Sequence, residues 1–513
     1  FGQKPFKFTP PDGFQPLNLS TVQPEKVIAR PDQYVDVSLW SGNGTSQNVT
    51  GLKHKPDFVW IKKRAGGSAR SHQLFDSVRG VYKTLHSNSA GAEDNNTNRL
   101  TAFNQDGFAV GSDDGSNGSS GTFCAWTWKA GGDKNTFNID DVGYANASDV
   151  NMNVGGLTSS LYNTSRRWSD GIANPSGDFD QAAANAFNGD RSNQLRTAGN
   201  SVLVTLNFSP ALTVTNNIQI LAENYSTANF RYTVTVDGTT TTKDVVGNQP
   251  ATFNVSGSLT QITLDNNNSN GRTYLQWIKV DGKELIDNNV TISTPSIAPT
   301  GCSVGTKQGF SIIKYTSNGT QGATLAHGLT QKPDFAIFKN IDSTLGVNEV
   351  DWGVYHSALG ATKNLELNQT LAEGTYSGPF NNTEPTSSVF TFGGSPNAFG
   401  HSYLTNGPSG DDFIAYIWHD VPGLQKFGSY INPSSTDGAF VELGFKPAIL
   451  IYKCARNISS SSGAGDWMII DTTRSPVNNP SDNNTLVLNV DAGEDSYYTA
   501  SQAAVDILSN GFK

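Results

Sequence analysis

No apolar run in the 513-residue chain is long enough to cross a bilayer, and no basic-then-apolar leader stands at its first residue, Phe1. Membrane insertion is therefore not expected. Phosphate backbones are held by clusters of Lys and Arg; none stands out, and the formal net charge is -10, so nucleic acid is not expected as a partner. Cysteine is scarce. Cys124, Cys302 and Cys454 lie far apart without CxxC spacing, which excludes a disulfide framework or a thiolate zinc site and leaves them as buried small hydrophobes. Charged residues make up only 16% against 36% hydrophobic, while the 52 glycines come with abundant Asn, Ser and Thr. Such a mixture favours many short strands joined by polar turns and argues against long helices. The length suggests about three to five domains.

What the chain does contain is a repeat. "GLKHKPDFVWIK" (Gly51 to Lys62) recurs as "GLTQKPDFAIFK" (Gly328 to Lys339) and, more loosely, as "LGFKPAILIYK" (Leu443 to Lys453). "LWSGNGT" (Leu39 to Thr45) and "KYTSNGT" (Lys314 to Thr320) precede the first two, and Asn-Gly after an apolar stretch predicts a type I′ hairpin turn. The third copy has "FGSYINPSSTDG" (Phe427 to Gly438) there, a longer loop. Pro56, Pro333 and Pro447 each precede a strand, a position that tolerates a missing N–H. Such a short apolar run could equally be a buried helix segment; β-branched and aromatic residues after Pro favour strand.

These strands are apolar on both faces: Phe58 and Trp60 oppose Val59 and Ile61, and Ile449 and Ile451 oppose Leu450 and Tyr452. The second face is covered either by the copy's own loops or by another module or subunit. Further shared slots follow in order. They are "LFDSVRG", "VYHSALG" and "IIDTTRS", then "TLHSNSAGAE", "NLELNQTLAE" and "TLVLNVDAGE", and in the first two copies the closing "FCAWTWKAGG" and "FIAYIWHDVPG". "SNGFK" (Ser509 to Lys513) matches "QDGFAVG" (Gln105 to Gly111), after which the first copy still has a closing strand. We therefore expect the natural chain to continue past Lys513, and, since residue 1 is not Met, to begin before Phe1.

The predicted fold is all-β: β-sandwich repeats at 36–132, 305–424 and 425–513, the last truncated, and an inserted sandwich at 161–290. The insert shows alternating strands such as "FRYTVTVDG" (Phe230 to Gly238) and "LQWIKVDGKEL" (Leu275 to Leu285) between Asn/Gly/Asp turns. "SIAPTGCSVGTKQG" (Ser296 to Gly309) reads as a linker.

Catalytic and metal motifs are weak. Of seven histidines, including His327, His356 and His419, none has HxH or HxxxH spacing, and there is no GxSxG elbow. His356 shares its slot with Asp76 and Asp471 and is expected to bond backbone. Asp411 and Asp412 are adjacent on a strand and face opposite ways, so they cannot form a glycosidase pair; they and Glu442 read as surface charge. "DDGSNGSSG" (Asp113 to Gly121) begins like a calcium loop, but Cys124 falls where its glutamate belongs, which favours a solvated hairpin tip. Asp190 is the one weak metal candidate, with turn capping the alternative. No cofactor is expected beyond a structural calcium. Tyr225 and Phe230, flanking a turn of the insert, are candidate sugar platforms; Trp168 is a third, with core packing its alternative.

The residues carry a family resemblance. "FGQKPFKFTPPDGF" (Phe1 to Phe14) resembles the end of SPRY domains in virion proteins of tailed, often marine, bacteriophages, which places a SPRY-like end at 1–20. The repeat series resembles the tandem concanavalin-like modules that follow such domains. The insert, with "RRWSDG" (Arg166 to Gly171) and "AFNGDRSN" (Ala186 to Asn193), resembles discoidin-type, galactose-binding-like sandwiches; Asn188 stands where Asp is common there, which counts against calcium. The resemblance implies a non-enzymatic structural protein at the surface of a phage particle, such as a tail fibre that attaches to host glycans. Its implied partners are other virion proteins, copies of itself and a host-surface glycan. The alternatives are a glycan-degrading tailspike-like enzyme and a head decoration or connector without ligand.

Overall fold

The structure is a computed structural model and describes residues 27–145, 166–173, 179–189, 194–198, 203–223, 229–246, 250–266, 272–281, 283–288, 295–342, 350–376, 378–394, 402–407, 409–433, 437–456, 465–476, 478, 484–494 and 505–513. The SPRY-like segment 1–20 lies outside them. The chain forms two compact units, one of Phe1–Ala147 with Ser296–Lys513, the other Ser148–Pro295. Both are built of β-sheets, and among the described residues no helix is long and apolar enough to cross a membrane.

The inserted unit is a two-sheet sandwich, as its alternation predicts. Val204–Val214, Gly257–Asn266 and Asn229–Val236 run side by side in one sheet; Tyr274–Val280 and Ile218–Glu223 pair in the other. A single core of inward residues, among them Leu206, Val234, Ile262 and Ile278, lies between them.

The other unit contains the three repeats, and their registers agree residue for residue. Phe58 faces Asp76, Phe335 faces His356 and Ile449 faces Asp471. Each module has an inner sheet. In the first, the lead strand Val35–Ser41 and the Pro-led strand Phe58–Ala65 flank the closing strand Thr122–Trp128, with Gln73–Asp76 beyond. In the second, Phe310–Thr316, Asp412–Trp418, Phe335–Asn340 and Gly353–His356 repeat that order. The expected match of "SNGFK" to "QDGFAVG" holds: Gly107 pairs with Thr50 and Gly511 with Glu442 in the outer sheets.

The second apolar face is covered by the neighbouring modules. Val59 and Ile61 enter a core private to the first module with Phe75, Phe108 and Phe123. Phe58 and Trp60 enter a second core shared with Phe310, Ile337, Tyr416 and Trp418 of the second module and Trp467 and Ile469 of the third. Fully burying one such side chain is worth about 1.5–3 kcal/mol, so the doubly apolar strands hold the three modules together. In the first two modules this cover is nearly complete, whereas Ile449–Lys453 of the third is half-buried along its length.

Polar contacts close the three modules into a ring. Glu93 N–H donates to the Ile341 carbonyl, Glu373 to Ala455 and Glu494 to Arg64, six residues beyond Phe335, Ile449 and Phe58 respectively. One ring N–H crosses each seam in the same sense: Trp352 Nε1 to the His86 carbonyl, Trp467 Nε1 to that of Glu366, and His72 Nε2 to that of Val487. Lys62, Lys339 and Lys453 likewise reach the carbonyls of Asp491, Ala90 and Gln369.

Several local expectations are corrected. The Asn-Gly turns are not hairpins, because the strands on either side belong to different sheets: Val35–Ser41 pairs with the closing strand and Gln47–Thr50 with Gly107–Val110. Only the Gly has positive φ, at 71° for Gly44 and 63° for Gly319. Asn43 and Asn318 instead accept from Thr45 and Thr320 N–H, and Asn117 and Asn406 clamp the two corners from inside. The linker carries a strand, Pro299–Gly305, which pairs with the lead strand of the second module and buries Cys302 and Val304. Cys124 is buried as expected, whereas Cys454 is exposed.

The Asp of Lys-Pro-Asp-Phe is a latch. Asp57 accepts from Ala130 N, Gly132 N and Ser77 Oγ at 2.7, 3.1 and 2.9 Å; Asp334 accepts from Asp420 N and Ser357 Oγ. Asp57→Ala leaves two buried amides without acceptors and is expected to destabilise by about 2 kcal/mol. Amide exchange should quicken first at Ala130 and Gly132; unchanged exchange there would mean the latch is idle.

Candidate binding cleft

What the modules share holds the fold, so a site is best sought in what one module has alone. The first module carries a polar cleft of about 350 Å³ lined by Arg70, Gln73, His86, Arg99, Asp113 and Asp114 among others. Gln73 is the first residue of its strand; Gly353 and Met468 take its place in the other modules.

Asp113 is the hub. Its backbone caps the short helix Asp114–Asn117, and its carboxylate accepts from Gly115 N, Gln73 Nε2 at 2.9 Å and Arg99 Nε at 3.4 Å. This corrects the expectation of a solvated hairpin tip, since Gly115, Ser116 and Asn117 are buried by the Asn117 clamp. Arg99 also donates to Asp94 at 2.5 Å, and Arg70 and Lys63 donate to Asp114 at 2.7 and 3.0 Å. Burial pushes the Asp94 carboxyl up, but hydrogen bonds from His86 and Arg99 outweigh it and hold it at about 2. The Lys63 hydrogen bond, foremost, keeps Asp114 below the usual carboxylate range.

Gln73 is only 3% exposed, and its amide is oriented by donation to Asp113. Its Oε1 is buried without a hydrogen-bond partner. A buried acceptor left unpaired costs about 1–3 kcal/mol, so at the base of a cleft it is a place for a donor from outside. The cleft thus sets the Gln73 side chain, with its buried unpaired acceptor, beside Arg and Asp groups of balanced charge. It is suited to hydroxyl groups, which both donate and accept.

The residues singled out from sequence lie elsewhere. Phe230 is 1% exposed and packs beside Tyr232 in the insert's core, which corrects its assignment as a sugar platform. Trp168 is also 1% exposed, under Arg166 at 4.6 Å and against Phe208, so its alternative reading as core is the one observed. Tyr225 and Asp190 lie outside the described residues. Asp411 is buried and accepts from Asn340 Nδ2, while Asp412 accepts from Thr316 Oγ1 and pairs with Lys314; only Glu442 fits surface charge. His356 Nδ1 accepts from Ala358 N–H, as expected. Among the described residues no group of three or more His, Cys, Asp or Glu is placed to hold a metal ion. Sequence reasoning missed Gln73 and Arg99; the substitution of Gln73 across otherwise matching slots was the available signal.

No curated protein matches the chain. Among solved structures, the CBM32 module of AlyQ in complex with 4,5-unsaturated mannuronic acid is 16% identical, covering 21% of this chain and 92% of its own, at a TM-score of 0.18. Truncated AlyQ with CBM32 and alginate lyase domains is 9% identical, covering 48% and 97%, also at 0.18. The secreted serine protease VesC from Vibrio cholerae is 12% identical over 49% and 47%, at 0.15. A family model described as a domain of unknown function matches residues 30–153 and 180–513.

Proposed function

The chain belongs to the DUF7483 family, and from that premise we propose that it is a non-catalytic adhesion protein that holds a neutral glycan in the Gln73–Arg99 cleft. The observation that carries this reading is the unpaired Gln73 Oε1 at the base of a polar, charge-balanced cleft. Held on a strand and a capped turn, the cleft side chains are fixed before a ligand arrives, which lowers the ordering cost of binding. Glycoside hydrolysis needs one carboxyl raised in pKa beside one that is ionised. Asp114 is instead held low, first by the Lys63 hydrogen bond, and Asp113 is occupied by Gly115 N, Gln73 and Arg99, which favours binding over cleavage. The sequence resemblance supports a place on the surface of a bacteriophage particle, with a host-envelope glycan as ligand and affinity multiplied by copies on the particle.

A glycan array probed with the whole chain tests this. We expect neutral sugars to bind, and Gln73→Ala and Arg99→Ala to weaken them roughly tenfold or more, the loss of one or two buried hydrogen bonds. Silence across the array would favour a connector without ligand. Release of shortened glycan would favour the depolymerase.

A further inference from the structure

Beyond Arg70 the segment that lines the polar cleft also lines a second one, of about 370 Å³. Its walls are Lys63, Arg64, Ser68 and Ala69 of the first module and Gly493 and Glu494 of the third. Residue 69 faces one cleft and residue 70 the other, and one carboxylate joins them. Asp114, in the first cleft, accepts from Arg70 at 2.7 Å and from Lys63, in the second, at 3.0 Å. Main chain draws the third module's wall in: Glu494 N–H donates to the Arg64 carbonyl at 3.0 Å, and Glu494 Oε1 accepts from Arg64 Nε at 2.7 Å. A Cβ on Gly493 would stand 2.4 Å from that carbonyl oxygen. Of the three copies only this one has glycine in the slot, where the others carry Ala92 and Ala372.

The second cleft has the chemical character of the first. Its charges are paired, Lys63 with Asp114 and Arg64 with Glu494. Among the described residues, the exposed N–H groups of Gly67, Ser68 and Ala69 and the Ser68 hydroxyl have no partner within the protein, so a ligand can use them. Ala65 and Ala69 add methyl surface for the C–H face of a sugar ring. We infer that the two clefts are successive subsites for one neutral oligosaccharide, which crosses the Arg70–Asp114–Lys63 bridge and ends between the first and third modules. This rests on the glycan reading of the first cleft. Small-molecule sites commonly measure about 300–1,000 Å³. The first cleft alone, at about 350 Å³, lies at the lower end of that range, and a ligand running through both lies well inside it. Contact at the second subsite is intramolecular once the first is filled, so affinity grows with chain length although no single contact is strong. The site is incomplete without the third module.

Calorimetric titration of the whole chain with neutral gluco-, manno- and N-acetylglucosamine oligosaccharides of one to six units tests this. In a series that binds, affinity should rise roughly tenfold or more from the shortest sugar to the longest. Amide exchange should slow at Gly115 with every length, and at Gly67, Ser68, Ala69 and Gly493 only with the longer sugars. Gln73→Ala should weaken all lengths. Ser68→Ala, a change at an exposed corner, should weaken only the longer ones, by about threefold. Affinity independent of length, with protection confined to the first cleft, overturns the second subsite and leaves the glycan reading standing. An equal loss at all lengths in Ser68→Ala does the same. No binding at any length defeats the glycan reading, and this inference with it.

Discussion

Asp471→Ala should lower stability by about 3–5 kcal/mol, the usual consequence of removing one partner of a buried ion pair. Arg474 has no exposed side-chain surface and donates to Asp471 at 2.5 Å, and its guanidinium sits 5.2 Å from the Trp126 ring centre. The same carboxylate accepts the Trp126 indole N–H across the seam. Removing it leaves a buried cation held only by Glu494 and main-chain carbonyls, and an unpaired indole donor. Asp76 and Arg79 form the matching pair at the next seam, also at 2.5 Å, with Tyr416 in the place of Trp126. The second module has His356 and Leu359 in those slots, so the ring itself contains a version without the pair. The double change Asp471→His with Arg474→Leu should therefore be milder than Asp471→Ala alone, by at least about 1 kcal/mol. Urea midpoints of the three proteins decide; equal losses would mean that the pair's charge is irrelevant.

The second large effect is acid sensitivity. Burial lowers His54 and His327 to about 4 and His72 well below the usual value of 6.5. The unfolded chain takes up these protons near pH 6.5 and the fold resists them, so the stability they confer is complete above that pH and is lost as pH falls toward 4. Each of His54 and His327 contributes about 3 kcal/mol over that window. Asp57 acts oppositely: burial raises its carboxyl to about 6, so its share is present at low pH and lost as pH rises through 6. Three histidines outweigh one aspartate, and the unfolding midpoint should drop steeply between pH 6.5 and 4. His72 is the decisive group, because its Nδ1 accepts from Trp60 Nε1 at 2.9 Å while Nε2 donates across the seam to Val487. Both nitrogens cannot be protonated without losing the first bond. His72→Gln should flatten the acid limb while changing stability at pH 8 by no more than about 1 kcal/mol. An acid limb unchanged in that variant would clear His72 of the role.

Much of the architecture was legible because the repeat is written in side chains that do the same work each time. The Asn of the second slot accepts the N–H of His72, Trp352 or Trp467 in turn, and the Asp of Lys-Pro-Asp-Phe latches two exits. Which apolar face pointed where was legible too, from period-two alternation. What covered the second face was not, since Phe58 and Trp60 look the same whether loops or neighbouring modules lie above them. The Asn-Gly corners were misread for a similar reason: Asn favours both positive φ and a side-chain turn, and only strand pairing separates the two. The insert's aromatics misled because a buried Phe230 and an exposed one have the same neighbours in sequence. The cleft escaped notice because its members, Arg70, Gln73, Arg99 and Asp113, come together only through the outer layer of one module.

The ring has a consequence for biosynthesis. Its last seam joins residues 430 positions apart, where Arg64 donates to Glu494. Until the third module leaves the ribosome, Phe58, Trp60 and Trp126 have only part of their final cover, and such non-local closure is slow and prone to aggregation. Truncated products ending before residue 440 should accordingly accumulate with chaperones or in inclusion bodies.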